Sequence, residues 1–164
     1  MPRATTVDHR PQHHGTHERR YVMSPSEPVV PKPGDLLAAM PFAAGLGIEL
    51  QEATAERTVG ILAWSPDVCT AGGALHGGAL MALADSVGAV CAYLNLPEGA
   101  SGTSTVESKT NFLRSVTAGH VHATARPLHL GGTLMVVQTD LRDDRNRLVG
   151  QTTQTQIVLR RNTD

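Results

Sequence analysis

The stretch ALHGGALMALADSVGAVCAYL, residues 74–94, decides the fold. Leu80, Leu83, Ala84, Val87, Val90, Cys91 and Leu94 recur at helical spacing, which predicts a helix from Gly78 to about Leu94. The run is apolar nearly all round, so the helix must be wrapped by other structure instead of lying on a wet surface. One acid, Asp85, sits in its middle, and His76, Gly77 and Gly78 stand at its mouth.

The flanking sequence supplies the wrapping. Upstream, LLAAMPFAAGLGIEL from Leu36 begins as a short helix-like patch that Pro41 interrupts. GIELQEATAERTVGILAW then reads as two strands around a polar turn, and SPDVCTAGGALHGG is a glycine-rich loop. Downstream of NLPEGASG the period changes to two. In TSTVESKTNFL, Val106, Ser108, Thr110 and Phe112 are predicted on one side, and Thr105, Glu107, Lys109 and Asn111 on the other. GHVHATARPLHL, GTLMVVQTDLRDD and RLVGQTTQTQIVLRR continue as strands joined by Gly- or Asp-containing turns. The order is therefore strand, strand, helix, four strands. An antiparallel sheet curled around its single helix is the simplest way to bury that helix, which makes the fold class α+β.

Composition narrows the function. The chain has 164 residues, 40% of them apolar, enough for one domain with a substantial core. Residues 1–34, rich in Pro, His, Arg and Thr, lack apolar periodicity and read as a disordered N-terminal tail, leaving 35–161 as the folded domain. His9, His13, His14 and His17 lie in that tail without cysteines or acids in register, and read as solvated rather than metal-binding. A net charge of −1 with 18% charged residues provides no basic field for nucleic acid or an anionic membrane surface. No run approaches the roughly 18 consecutive apolar residues of a membrane span, and no secretory signal is legible. Cys69 and Cys91 make neither a disulfide framework nor a zinc motif, which fits a reducing cytoplasm.

Three segments together, LHGGALMALADSVGA, TVESKTNFLRSV and LRDDRNRLVGQTTQTQIVLR, resemble the hotdog-fold acyl-CoA thioesterases, specifically the phenylacetate-pathway (PaaI-like) type. The likeness extends over about residues 35 to 160. Its most specific element is the spacing of HGG to an acid nine residues beyond the histidine. The resemblance implies hydrolysis of an acyl- or aryl-CoA thioester to free acid and CoA, with no metal and no cofactor beyond the CoA of the substrate. The alternative it leaves open is an acyl-CoA-binding module of the same fold without turnover. A hotdog enoyl-CoA hydratase would need Asp and His together in a hydratase motif, which is not found.

Residue roles follow with their plainer readings alongside. Read alone, Gly77 and Gly78 merely turn the chain into the helix; a helix mouth also presents bare N–H donors and a partial positive charge. The resemblance makes the Gly77 N–H the donor that polarises the thioester carbonyl, with Gly78 beside the substrate. Asp85 is costly to bury unless compensated, and by itself reads equally as a polar stripe with Ser86 or as a functional acid. The resemblance makes it the catalytic carboxylate, acting as nucleophile or as base toward water. His76 is implied to orient the helix mouth by hydrogen bonding, and Thr105 to help place water or acid, though it reads as well as an ordinary strand threonine. Relatives often carry Asn or Gln six residues before the HGG histidine; this chain has Thr70 there, with one donor where an amide has two. CoA contacts are implied for Arg114 and for the Gly131–Gly132–Thr133 turn, with Arg160 and Arg161 nearby. Singly, each arginine reads as a solvated charge. Met81, with Leu80, Val87 or Val90, is expected to line the acyl pocket. His120, His122 and His129 receive no role.

His76 and Asp85 are nine positions apart, about 13.5 Å along a helix, too far for one thioester group to touch both in a single protomer. A second chain must supply one of them. The resemblance implies a homodimer with two equal shared sites and, further, a homotetramer built from two such dimers.

Overall fold

The computed structural model describes residues 32–160; the tail through residue 31, with His9, His13, His14 and His17, and Arg161 lie outside the described residues. Two short helices open the described chain, α1 (Pro33–Ala38) and α2 (Pro41–Gly45). Each starts with proline, whose fixed φ and missing N–H suit the first helical turn, and Pro41 ends the run of α1 as expected. Because α1 begins at Pro33, Pro33 and Gly34 join the folded part instead of the tail.

Strands β1 (Ile48–Ala53) and β2 (Thr58–Ala63) form the expected hairpin, closed by Thr54 and Arg57. A turn of 3-10 helix at Pro66–Val68 and a glycine-rich loop lead to α3 (Gly77–Tyr93). After it come β3 (Ala100–Phe112), β4 (His120–Leu130), β5 (Leu134–Asp143) and β6 (Leu148–Arg160). All pairings are antiparallel, in the order β1-β2-β4-β5-β6-β3. Thus α3 carries the chain from one half of the sheet to its far edge, where β3 lies.

The sheet curls around α3, whose Leu83, Ala84, Val87 and Cys91 are fully buried. They pack in one core with Val121 and Ala123 of β4, Met135 and Val137 of β5, and Val149 of β6. The helix approaches β2 closely at Gly60, where a Cβ would lie 2.6 Å from Val87 Cγ2, so only glycine leaves room. Burying a Leu or Val side chain here contributes on the order of 1.5–3 kcal/mol each.

One sequence expectation is corrected. The period-two reading put Thr105 on the face opposite Ser108 and Thr110. In the structure the ladder steps from Thr105↔Gln156 to Glu107↔Thr155, so Val106 is an extra residue bulged out of β3. The bulge reverses the parity of the strand. Thr105 opposes inward-facing Gln156 and Ser108 opposes inward-facing Gln154, so both face α3, while Val106 is 56% exposed.

Candidate active site

At the mouth of α3, His76 is the N-cap, and its Nδ1 accepts the Gly78 N–H at 2.8 Å. An accepting Nδ1 places the ring proton on Nε2, so the imidazole serves as a cap at this nitrogen. The His76 carbonyl accepts the N–H groups of Ala79 and Leu80, at 2.9 and 3.2 Å. Gly77 is left as the first-turn residue whose N–H has no partner among the described residues. The Phe112 ring lies against it, with a Cβ at position 77 only 3.1 Å from the ring. A groove of about 440 Å³ opens there, lined by Gly77, Leu80, Phe112, Leu113 and Arg114. Arg114 is anchored by donating from Nη1 to the Leu148 carbonyl at 2.5 Å. A free N–H at the positive end of a long helix suits an oxygen that gains negative charge.

Asp85 lies eight residues further along α3, about 12 Å of rise from Gly77. It is half-buried, and two polar side chains reach it, backed by two more behind them. Gln154 Nε2 donates to Asp85 Oδ1 at 2.5 Å, and the Thr105 hydroxyl donates to the same oxygen at 3.3 Å. Thr105 Oγ1 in turn accepts from Gln154 Nε2 at 3.0 Å and from Gln156 Nε2 at 2.7 Å. Thr103 donates to Gln156 Oε1 at 2.9 Å. Burial pushes the Asp85 carboxyl above its ordinary value, and the Thr105 hydroxyl pulls part of the way back.

The remaining expected site residues fall elsewhere. Thr70 accepts the Gly72 N–H at 3.3 Å with its hydroxyl, inside its own turn. Met81 is exposed on α3. Gly132 and Thr133 form the exposed β4–β5 turn, where the Gly132 carbonyl accepts from Arg160 Nη2 at 3.3 Å. That turn stands by the end of the sheet where β3 begins; Gly77 and Arg114 stand where β3 ends. One protomer therefore holds the expected substrate contacts in two separate groups. His120 and His122 flank Asp144 on the exposed side of β4. Among the described residues no cluster of His, Cys, Asp and Glu is placed to hold a metal ion.

Gln154 and Gln156 were missed by the sequence reading, although both are fully buried. The signal was present in TQTQIVL, where alternate positions share a face with Val158, but amides on a strand resemble surface residues until the partner they meet is known.

A six-stranded antiparallel sheet curled around one long helix is the architecture of the hotdog thioesterases. The thioesterase superfamily profile matches residues 72–150, and the chain belongs to that superfamily. It is a thioester hydrolase, like the relatives named below. ComA2 of Bacillus subtilis, which carries the name of an esterase, is 36% identical over 104 residues, 63% of this chain and 82% of that protein. The 1,4-dihydroxy-2-naphthoyl-CoA hydrolase of Escherichia coli is 41% identical over 76 residues, 46% of this chain and 55% of that protein. Thioesterase HI1161 of Haemophilus influenzae superposes with a TM-score of 0.76 at 27% identity, over 82% of this chain and 96% of that one.

Proposed function

We propose that this enzyme hydrolyses an acyl- or aryl-CoA thioester to the free acid and CoA, at sites shared between two copies of the chain. The Gly77 N–H of one copy binds the thioester carbonyl oxygen and stabilises the charge that grows on it. Asp85 of the other copy takes the proton of a water that attacks the carbonyl carbon, or attacks that carbon itself to give a mixed anhydride that water then hydrolyses. In either course the carbon–sulfur bond breaks, and the thiolate leaves and is protonated. Water supplies the oxygen of the acid, and the reading asks for no cofactor beyond the CoA of the substrate. Similarity to a naphthoyl-CoA hydrolase supports the CoA ester as substrate class. With two Phe, two Tyr and one Trp in the chain, nothing in composition selects aryl over alkyl.

The observation that carries the reading is the free Gly77 N–H on the same helix as Asp85 but out of reach of one substrate group. β3 is an edge strand exposing Val106 and Phe112. Antiparallel addition of a second β3 would bring the Gly77 and Arg114 end of one copy toward the Gly132 and Arg160 end of the other. Arginines would then flank the CoA phosphates from both copies. Pairing of two such dimers gives the tetramer we propose. Two free thiols, Cys69 and Cys91, support a cytoplasmic setting; no helix among the described residues is long and apolar enough to cross a membrane.

Thiol release from short, long and aryl acyl-CoAs tests the proposal. Wild type is expected to release CoA, and Asp85→Asn to be slower by at least about a hundredfold. Equal rates for the two proteins would remove Asp85 from the chemistry.

A further inference from the structure

The matched family segment, which includes Asp85 and Thr105, ends at residue 150, before Gln154 of β6, which also touches Asp85. Resting on the catalytic reading of Asp85 given above, we propose that Gln154 is its positioning residue, seated in a notch that Gly88 leaves in α3, and that it fixes Oδ1 so that Oδ2 is the reacting oxygen.

Three observations carry this. First, the seat is specific. A Cβ on residue 88 would stand 2.1 Å from Gln154 Oε1 and 3.3 Å from Gln154 Cδ, so the amide occupies the volume that any larger residue at 88 would fill. Gly88 follows Asp85 by three residues, which puts notch and acid on one helical face.

Second, the polarity of the network runs one way. Thr105 Oγ1 accepts from both Gln154 and Gln156, which uses its two lone pairs and leaves its own proton to go to Asp85 Oδ1. Gln156 is held in turn by Thr103, which donates to its Oε1. Asp85 Oδ1 thus accepts from an amide and from a hydroxyl, while Oδ2 has no partner among the described residues. Donors aimed at one carboxylate oxygen favour its ionised form and hold its rotation.

Third, the arrangement costs stability. Gln154 Oε1 is buried on a core strand face with no hydrogen-bond partner among the described residues, a cost that an apolar side chain does not carry. The cost has a return only if the amide's other end is needed where it is. Against the burial that raises the Asp85 carboxyl stands the Thr105 hydroxyl, and the Gln154 amide is the second donor in contact with the same oxygen.

The test is Gln154→Met, which keeps the volume and loses the donor, together with Thr105→Val on the edge strand and the double variant. Steady-state kinetics across pH read kcat, KM and the acid limb. We expect kcat to fall about tenfold to a hundredfold with KM little changed. The acid limb should move to higher pH, because losing a donor to the carboxylate favours the protonated acid. The double variant should lose little more than the worse single one, since both act through one oxygen. A folded Gln154→Met with wild-type kcat and an unmoved acid limb overturns the proposal. If Gln154→Met does not fold, Gly88→Ser and Thr105→Val decide it: unchanged acid limbs in both overturn it. An active Asp85→Asn would instead overturn the catalytic reading of Asp85, independently of Gln154.

Discussion

Asp85 stands in a place that favours its neutral form, yet the proposed chemistry asks for its ionised one. Burial raises its pKa above the ordinary carboxylate value of 3.8, and no cation compensates. For an acid whose folded pKa is raised, stability is gained as pH falls through that value, because the protonated form is the one the fold prefers; above it the buried charge is a standing cost. Two outcomes follow for Asp85→Asn. The variant is expected to lose activity while melting at or above the wild-type temperature at pH 7, and that advantage should shrink as the pH is lowered through the carboxyl's range. Thermal melts of both proteins at several pH values check this; a wild type that is more stable at neutral pH would show that the ionised carboxylate is a net stabiliser. The wild-type rate should itself fall on the acid side at a pH higher than an exposed aspartate would give.

At the scale of the element, α3 was legible to within a residue or so. Its apolar spacing and the HGG mouth are local, and so is the cap His76 makes two residues ahead to Gly78. β3 was legible as a strand but not in its facing. Alternation assumes one residue per step, and the Val106 bulge breaks that count; nothing in TSTVESKTNFL marks it, since Val is an ordinary strand residue. Deleting Val106 should restore regular alternation and turn Thr105 away from α3, or else turn Ser108 and Thr110 away. If the contact of Thr105 with Asp85 serves the reaction as proposed, kcat is expected to fall at least as far as in Thr105→Val, with far-UV circular dichroism still showing the strands. Full activity in a folded deletion variant would mean that the bulge has no part in the site.

For the whole molecule, the sharpest expectation concerns the two copies. Gly77 is the first residue of α3, a position where proline is tolerated, and His76 before it has the extended backbone that proline requires of its neighbour (φ −66°, ψ 137°). Gly77→Pro therefore removes the N–H while leaving the helix, provided the Phe112 ring gives a few tenths of an ångström, and should slow hydrolysis by about a hundred- to a thousandfold. Mixing it with Asp85→Asn is diagnostic. If each site joins one copy's Gly77 to the other's Asp85, a mixed dimer has one site with both defects and one with neither. Random exchange of equal amounts would then recover about a quarter of wild-type activity. Sites complete within a single chain would recover none.

What the sequence determined by itself was everything that repeats over a few residues: the long helix, the hairpin before it, the run of strands after it, the free glycine mouth and the acid in the apolar face. Those follow from spacing along one segment. What only the tertiary structure decided was which residues meet. Gln154 reaches Asp85 across 69 positions of chain, and it does so because β6 lies between β5 and β3 in a register that turns Thr152, Gln154 and Gln156 inward. The bulge at Val106 then brings Thr105 into the same group. Strand order and register are set by the packing of the whole sheet against the helix, a many-body balance of burial that no local pattern encodes.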